Sequence, residues 1–267
     1  MDLIHVDELV PAPAASWRPG DAWLAGGSWL FSEEQPGISR LLDLGAYRWP
    51  ALEPDDTGLR IGATCTFAQL AGWTPPAHWP AGSLIAQCCN ALLGSFKVWN
   101  TATVGGNLCL SLPAGPMTSL TAGLDGRCLI WAADGTPREL PVIDFVTGPG
   151  TNVLGPGELL RAVQLPERAL RSSAAFRQIS LSRYGRSAAV VIGRLDPDDG
   201  SVRITISAGL RRPLQLSFAE LPSAQRALDT LDRIGPVYYD DVHGAPAWRE
   251  AMTRLLIAEL LDELAVR

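Results

Sequence analysis

The sequence lacks several features that would place it quickly in a class. No apolar run approaches the eighteen residues of a transmembrane helix, so we expect no membrane span. The acidic start, Met1–Glu8, lacks the basic segment of a secretory signal. The net charge of -6 disfavours a surface for nucleic acid or for an anionic membrane.

Metal-binding patterns are also scarce. The five cysteines, at positions 65, 88, 89, 109 and 128, include no C-x-x-C, and the three histidines lie far apart. Cys88 and Cys89 are adjacent, which makes it difficult for both to join one tetrahedral site. We therefore expect no metal site and interpret the cysteines as free thiols in a reducing cytoplasm.

The first feature that is present is a glycine pair after a short apolar run. It lies in the segment Leu24-Ala25-Gly26-Gly27-Ser28-Trp29. The pattern predicts a strand, a tight turn and a helix that begins at Ser28 as its N-cap. The first N–H groups of such a helix face the turn and can bind an anion.

A second pair lies about eighty residues later, in Thr103-Val104-Gly105-Gly106-Asn107. Peptide N–H groups around adjacent glycines can point the same way and surround an anion, and the Thr and Asn side chains add hydrogen-bonding groups. Two such turns suit a ligand with two linked phosphates. Either pair could instead form only a turn of the chain. Neither has the spacing of a Rossmann or P-loop motif.

Taken in order, the two glycine segments and several later ones resemble the FAD-binding (medium) subunit of molybdenum hydroxylases, a family that includes xanthine dehydrogenase and carbon monoxide dehydrogenase. The later segments are Leu59-Arg60-Ile61-Gly62-Ala63, Gly155-Pro156-Gly157-Glu158-Leu159-Leu160, Phe176-Arg177-Gln178-Ile179-Ser180 and the stretch from Trp248 to Leu256. The similarity covers nearly the whole chain.

The resemblance implies an α+β fold. A two-lobed FAD-binding region of the PCMH type would occupy residues 1–168, with lobes at about 1–58 and 59–168. A C-terminal antiparallel sheet with helices on one face would follow at 172–267. The resemblance also implies a helix within residues 32–37, reduced to about one turn because this segment is shorter than in the family. From the residue pattern we expect two C-terminal helices, over 217–231 and 247–266.

The resemblance also implies a function and a set of site residues. Residues 24–29 and 103–107 would hold the pyrophosphate and ribityl parts of FAD, and Leu159 and Leu160 would pack near the isoalloxazine ring. Arg177 would place a positive charge near that ring. The alternative roles are plain core for the two leucines and a surface strand position for Arg177.

In this family the medium subunit passes electrons from a [2Fe–2S] small subunit through FAD to an acceptor such as NAD or oxygen. A molybdenum-cofactor large subunit oxidises the organic substrate. The resemblance thus implies an FAD-dependent oxidoreductase subunit in a hetero-oligomeric complex. Two alternatives remain open: a flavin-free assembly subunit of such a complex and a stand-alone FAD oxidoreductase.

One departure from the family pattern bears on the first alternative. After the second glycine pair the family has a serine and, four residues later, an aspartate; here these positions hold Leu112 and Pro116, while Pro113 is retained. The family aspartate would accept hydrogen bonds from FAD hydroxyls. Proline offers no side-chain acceptor and no N–H, so FAD would bind more weakly or in a shifted position.

Two further clusters carry polar groups. Asp240-Asp241 with His243 could serve as a metal or acid–base site, although a role in turn and cap hydrogen bonds suits a loop before a helix better. Arg211-Arg212-Pro213 could bind a phosphate or a partner's carboxylate, or it could form a solvated turn.

Overall fold

The strands of the chain form three sheets and one short ribbon in the computed structural model, which describes residues 5–267. The N-terminal sheet consists of β1 (Glu8–Pro11), β2 (Asp21–Leu24) and β3 (Arg40–Asp43). Their order is β1-β3-β2, and both pairings are parallel. The first glycine pair follows β2 directly, so this sheet determines where the turn lies.

A buried ion pair fastens β2 to β3. Nη2 of Arg40 donates to Oδ2 of Asp21 at 2.6 Å, and the aspartate side chain is fully buried. The hydrogen bond from Arg40 lowers the pKa of Asp21.

The expected one-turn helix within residues 32–37 is wrong, because this segment contains turns and no helix.

The central region is organised around one sheet of order β4-β5-β10-β6-β7, in which every pairing is antiparallel. Its middle strand comes last in the chain. The elements in chain order are β4 (Leu52–Asp55), β5 (Gly58–Gly62), α1 (Phe67–Ala71), α2 (Ser83–Asn90), α3 (Phe96–Thr101), α4 (Val104–Leu110), α5 (Pro116–Gly123), β6 (Arg127–Trp131), β7 (Pro137–Pro141), α6 (Val142–Phe145), β8 (Val146–Gly148), β9 (Thr151–Asn152), β10 (Leu159–Pro166) and α7 (Glu167–Arg171).

The helices of the central region begin at residues that stabilise helix starts. Thr66 and Gln69 form a reciprocal capping box at α1, and the hydroxyl of Thr103 caps α4. Helix α5 begins with Pro116, and all eight of its residues are buried. It therefore lies inside the molecule, between the central helices and the next sheet.

The C-terminal sheet has the order β11-β12-β13-β14 and is antiparallel throughout. Its elements are β11 (Ser173–Ile179), β12 (Ala189–Leu195), β13 (Val202–Ser207), β14 (Leu214–Phe218), α8 (Ala224–Ile234) and α9 (Pro246–Leu264). Helix α9 packs on β11 and β12 over an apolar core, while α5 contacts β12 and β13.

These features confirm the α+β class and the antiparallel C-terminal sheet with α8 and α9 packed against it. The helix expected over 217–231 begins too early, because β14 extends to Phe218 and Ser223 caps α8. The alternating burial of β14 in a five-residue run is too short to separate from a helix start by periodicity. The division at residues 58, 168 and 172 stays a prediction.

Candidate functional site

The first glycine pair forms a turn with unpaired peptide N–H groups. The N–H groups of residues 26–30 make no hydrogen bond to any part of the chain that the structure describes. Gly27 has a φ of +72°, and its carbonyl accepts from the N–H of Phe31 at 2.9 Å. No helix follows, so the expected N-cap role of Ser28 is wrong; residues 28–32 form turns.

The two glycine segments touch each other. A methyl group added at Gly26 would overlap the carbonyl oxygen of Thr101 and would lie 3.2 Å from Cγ2 of Thr103. Only glycine permits this approach. The structure thus brings the segments 24–29 and 103–107 together, although they are about eighty residues apart in the chain.

The second glycine pair lies in the first turn of α4 rather than in an open turn. Its peptide N–H groups are already bonded. Val104 donates to Cys65 at 2.8 Å, Gly105 to Ala63 at 2.9 Å and Gly106 to the Thr103 hydroxyl at 3.0 Å. A methyl group at Gly105 would come within 2.5 Å of Cβ of Ala63. This pair therefore packs α4 against the end of β5.

Asn107 also has a protein partner. Its amide oxygen accepts from the N–H of Met117 at 3.0 Å, next to Pro116 at the start of α5. A hydrogen bond to the side chain of Asn107 thus satisfies one of the N–H groups that a helix start leaves unpaired. Pro116 is buried, and Leu112 lies in the short connection between α4 and α5.

Residues 155–158, which precede β10, support the first glycine turn through hydrogen bonds. The indole N–H of Trp23 donates to the carbonyl of Glu158 at 3.0 Å. The carboxylate of Glu158 is paired with Arg138 at 2.6 Å and accepts from the N–H of Gly155 at 2.8 Å. The hydrogen bond from Arg138 lowers the pKa of Glu158, which keeps this support charged. The segment 155–158 therefore holds β2, and with it the glycine turn.

The two predicted flavin-contacting leucines point into different cores. Leu159 packs with Leu42 and Leu44 of the N-terminal region, and Leu160 belongs to the core of the central sheet. Both are at least 95% buried. They connect the two cores through one strand, and a contact with a cofactor stays a prediction for both.

Arg177 lies on β11 and faces α9. It pairs with Glu263 at 2.5 Å and with Glu259 at 3.4 Å. Its charge is thereby matched by two carboxylates of the helix. A role near a flavin ring stays a prediction, and these contacts support a role in holding α9 on the sheet.

The cysteines and the Asp240–His243 loop have structural roles in the protein. The cysteines are free, and burial raises the pKa of Cys65 and of Cys89 to about 12. Asp241 accepts from the N–H of His243 at 2.8 Å and pairs with the buried Arg249, as turn and cap groups do. Within residues 5–267 no group of three or more His, Cys, Asp or Glu side chains could hold a metal ion, and no helix there is long and apolar enough to cross a membrane.

Several supporting residues were missed by sequence reasoning. Asp21, Arg40 and Glu158 position the first turn, but a charged residue in a sequence does not show which partner it will contact in the fold. Ala63 accepts from Gly105 and Cys65 from Val104 through backbone carbonyls, which leave no trace in a sequence. Gly62-Ala63 at the end of β5 belongs to the family pattern, but the sequence does not reveal the contact of Ala63 with Gly105 of α4.

The geometry fits an anionic ligand at the first turn. Five consecutive free N–H groups, on a segment that is mostly half-buried, supply partial positive charge where no basic side chain is needed. The fit at the second pair is poorer, because its N–H groups are used inside the protein. A pyrophosphate would therefore be held chiefly by residues 26–30.

At 26% identity, the sequence resembles the nicotinate dehydrogenase FAD-subunit of Eubacterium barkeri over 91% of this chain and 89% of that one. A shorter match, at 28% identity over 121 residues, is to xanthine dehydrogenase of Oryza sativa subsp. japonica; it covers 43% of this chain and 9% of the relative.

Two solved structures share the fold. Quinoline 2-oxidoreductase of Pseudomonas putida 86 superposes with a TM-score of 0.80 at 20% identity. Carbon monoxide dehydrogenase of Oligotropha carboxidovorans does so with a TM-score of 0.81 at 20% identity. Each match covers 98% of both chains.

A family profile also matches this chain. It describes the FAD-binding domain in molybdopterin dehydrogenase and matches residues 6–168, more than half of the chain. That range contains both glycine segments and the strand with Leu159 and Leu160. The chain therefore belongs to the molybdopterin dehydrogenase FAD-binding family.

Proposed function

We propose that this protein binds FAD and carries electrons within a molybdenum hydroxylase complex in the cytoplasm. Electrons would enter from a [2Fe–2S] small subunit, after a molybdenum-cofactor large subunit has oxidised the organic substrate, and would leave to an acceptor such as NAD or oxygen. The observation that carries the proposal is the row of free N–H groups at residues 26–30, pressed against the second glycine segment.

The residues of the chain would act by binding and orientation. Backbone N–H groups of the first turn would hold the pyrophosphate, and Thr103 lies next to Gly26 on the other side. Leu159 and Leu160 would restrict the position of the ring system from β10. When bound, FAD supplies the redox chemistry, and the protein supplies position and electrostatics.

A visible absorption spectrum of the purified chain tests this proposal. Flavin bands with about one FAD per chain, or their appearance after incubation with FAD, are the expected result. A colourless protein that stays colourless in excess FAD would contradict it. Co-purification with an iron–sulfur subunit would then separate an electron-transfer subunit from a stand-alone oxidoreductase.

A flavin-free assembly subunit is the second candidate. Two observations favour it: the N–H groups of Val104, Gly105 and Gly106 are used within the protein, and Pro116 has no acceptor where the family pattern has aspartate. If the chain stays colourless, the double variant Leu112→Ser, Pro116→Asp should gain FAD binding. A colourless double variant would place the defect at the first turn instead.

A further inference from the structure

A small cavity lies where the central region meets the C-terminal sheet. On one side it is lined by Leu112, Pro113 and Thr118, and on the other by Ser207, Arg211 and Arg212. Its enclosed volume is about 10 Å³. That is room for one water molecule or for one oxygen atom of a larger group.

Thr118 supplies an unused hydrogen-bonding group to this cavity. The residue is only 2% exposed, and its Oγ1 has no hydrogen-bond partner among the described residues. A buried hydroxyl without a partner is costly, so native proteins leave few of them. The neighbouring hydroxyl of Ser207 is not free, because it lies 2.7 Å from that of Ser119.

Two of the residues that line the cavity, Arg211 and Arg212, carry a positive charge. Arg211 and Arg212 are exposed, and neither forms an ion pair with any acidic group in the described part of the chain. The guanidinium of Arg211 lies 5.8 Å from the ring centre of Tyr239, an arrangement that leaves its N–H groups available. Of the residues that line the cavity, all within the described range, none is acidic.

We propose that this cavity is the inner end of a binding site for a phosphate group. One phosphate oxygen would enter the enclosed end and accept from Oγ1 of Thr118. The other oxygens would remain at the mouth, where the forked guanidinium groups of Arg211 and Arg212 match a phosphate. A water molecule could satisfy the threonine but would leave both arginines without an anion.

The site is separate from the glycine turn and does not depend on the proposed function. Nothing in the cavity belongs to residues 24–29. Its walls come from the α4–α5 connection, α5, the start of β8, the end of β13 and the connection between β13 and β14. The phosphate could be free inorganic phosphate or the phosphate of a nucleotide.

Thermal unfolding of the full chain in excess FAD tests the proposal, with sodium chloride used to keep the ionic strength constant. Inorganic phosphate should raise the melting temperature in a saturable way, since a ligand that binds only the native state stabilises it. Thr118→Val should weaken phosphate binding about tenfold, as loss of one hydrogen bond to a charged group does. Arg211→Gln and Arg212→Gln should weaken it similarly.

Matched controls are available in the chain. Arg183 is also exposed, unpaired with acids in the described residues, and 5.4 Å from a tyrosine ring; Arg183→Gln should leave phosphate binding unchanged. Thr253 also has a fully buried side chain with a hydroxyl, outside the cavity, and Thr253→Val should leave phosphate binding unchanged as well. Thr118→Ser keeps the hydroxyl and should retain affinity.

The second arm of the experiment replaces phosphate by AMP. Binding of AMP more than tenfold tighter than phosphate, and lost in Thr118→Val, supports a nucleotide as the source. Equal binding supports free phosphate. No saturable effect of either ligand overturns the proposal, as does an effect of the same size in Thr118→Val, which would assign the binding to another place such as the glycine turn.

Discussion

Gly26-Gly27 and Gly105-Gly106 lie in segments that touch, but their peptide N–H groups are in opposite states. Around the first pair, five consecutive N–H groups are free of partners in the described structure. Around the second, the N–H groups of residues 104–107 are all bonded within the protein. One pair is therefore suited to a ligand and the other to the packing of a helix.

The difference teaches that a glycine pair in a sequence reports only a need for little volume or for an unusual φ. At Gly105 the need is close approach to Ala63, and at Gly26 it is close approach to Thr101. Whether the adjacent N–H groups remain free depends on which carbonyls the rest of the fold brings near. Four substitutions, in order of falling expected effect, and one matched control test this contrast.

The largest effect is expected for Gly26→Ala. The added methyl group overlaps the carbonyl of Thr101, so the two segments must separate. We expect the affinity for FAD to fall about 100-fold, equivalent to about 2.7 kcal/mol. Fluorescence titration of the FAD-free chain measures this, and a melting curve shows whether the fold survives.

Gly106→Ala is the matched control for that experiment. Its methyl group would meet only the Thr103 hydroxyl, at 2.9 Å. FAD affinity should change less than about threefold, in line with a substitution that causes no backbone clash. If this variant loses as much affinity as Gly26→Ala, the second pair also contacts the cofactor and the contrast between the pairs is wrong.

Asp21→Asn tests the support of the first turn. Asp21→Asn removes the negative charge of the buried Asp21–Arg40 pair but keeps an acceptor, and should lower the free energy of unfolding by about 2 kcal/mol. The pKa of Asp21 is lowered in the native state, so its contribution is present above the unfolded pKa of about 3.9 and is lost as the pH falls through the native pKa.

Denaturant unfolding between pH 7 and pH 2 therefore provides a second readout for this variant. The wild-type protein should lose stability on acidification below about pH 4, and Asp21→Asn should lose less over the same range. Equal losses in the two proteins would show that this pair does not carry the acid sensitivity.

Gly105→Ala should act on stability more than on ligand binding. Its methyl group would press on Cβ of Ala63, and overpacking of this kind costs about 1–3 kcal/mol. Chemical denaturation measures the loss, and FAD titration of the folded fraction shows whether affinity is retained. A folded variant of unchanged stability would refute the packing role.

The smallest effect is expected for Thr103→Val. This change removes the side-chain cap of α4 and should lower the free energy of unfolding by about 1 kcal/mol. The N–H of Gly106 then becomes free for a ligand. If FAD affinity rises while stability falls, the Thr103 hydroxyl and the cofactor compete for the N–H of Gly106.

The fold and the family could be predicted from local motifs that occur along the chain in the same order as in the family. The glycine segments, the strand at Leu159–Leu160 and the closing helix led to the family and to the α+β fold. The sequence also predicts strands at 174–180, 188–195 and 202–208 with a turn at 196–200, and β11, β12 and β13 lie there.

The burial of α5 and the hydrogen bonding of the two glycine pairs could not be predicted, because both depend on contacts between distant parts of the chain. Helix α5 carries three hydroxyl residues, Thr118, Ser119 and Thr121, so its sequence does not predict a buried helix. It nevertheless lies between the central helices and the C-terminal sheet. Burial of its hydroxyls depends on partners from distant segments, as with Ser119 and Ser207. The free and bonded states of the two glycine pairs are decided in the same way.

The position of β10 has a consequence for how the protein is made. Glu158 and Leu159 support the first turn, and β10 is the middle strand of the central sheet between β5 and β6. During synthesis, β5 and β6 must wait with open edges until residue 166 has left the ribosome. Until then the nascent chain carries two strand pairs, β4–β5 and β6–β7, each with one open edge, to which chaperones can bind and strands of other chains can pair wrongly.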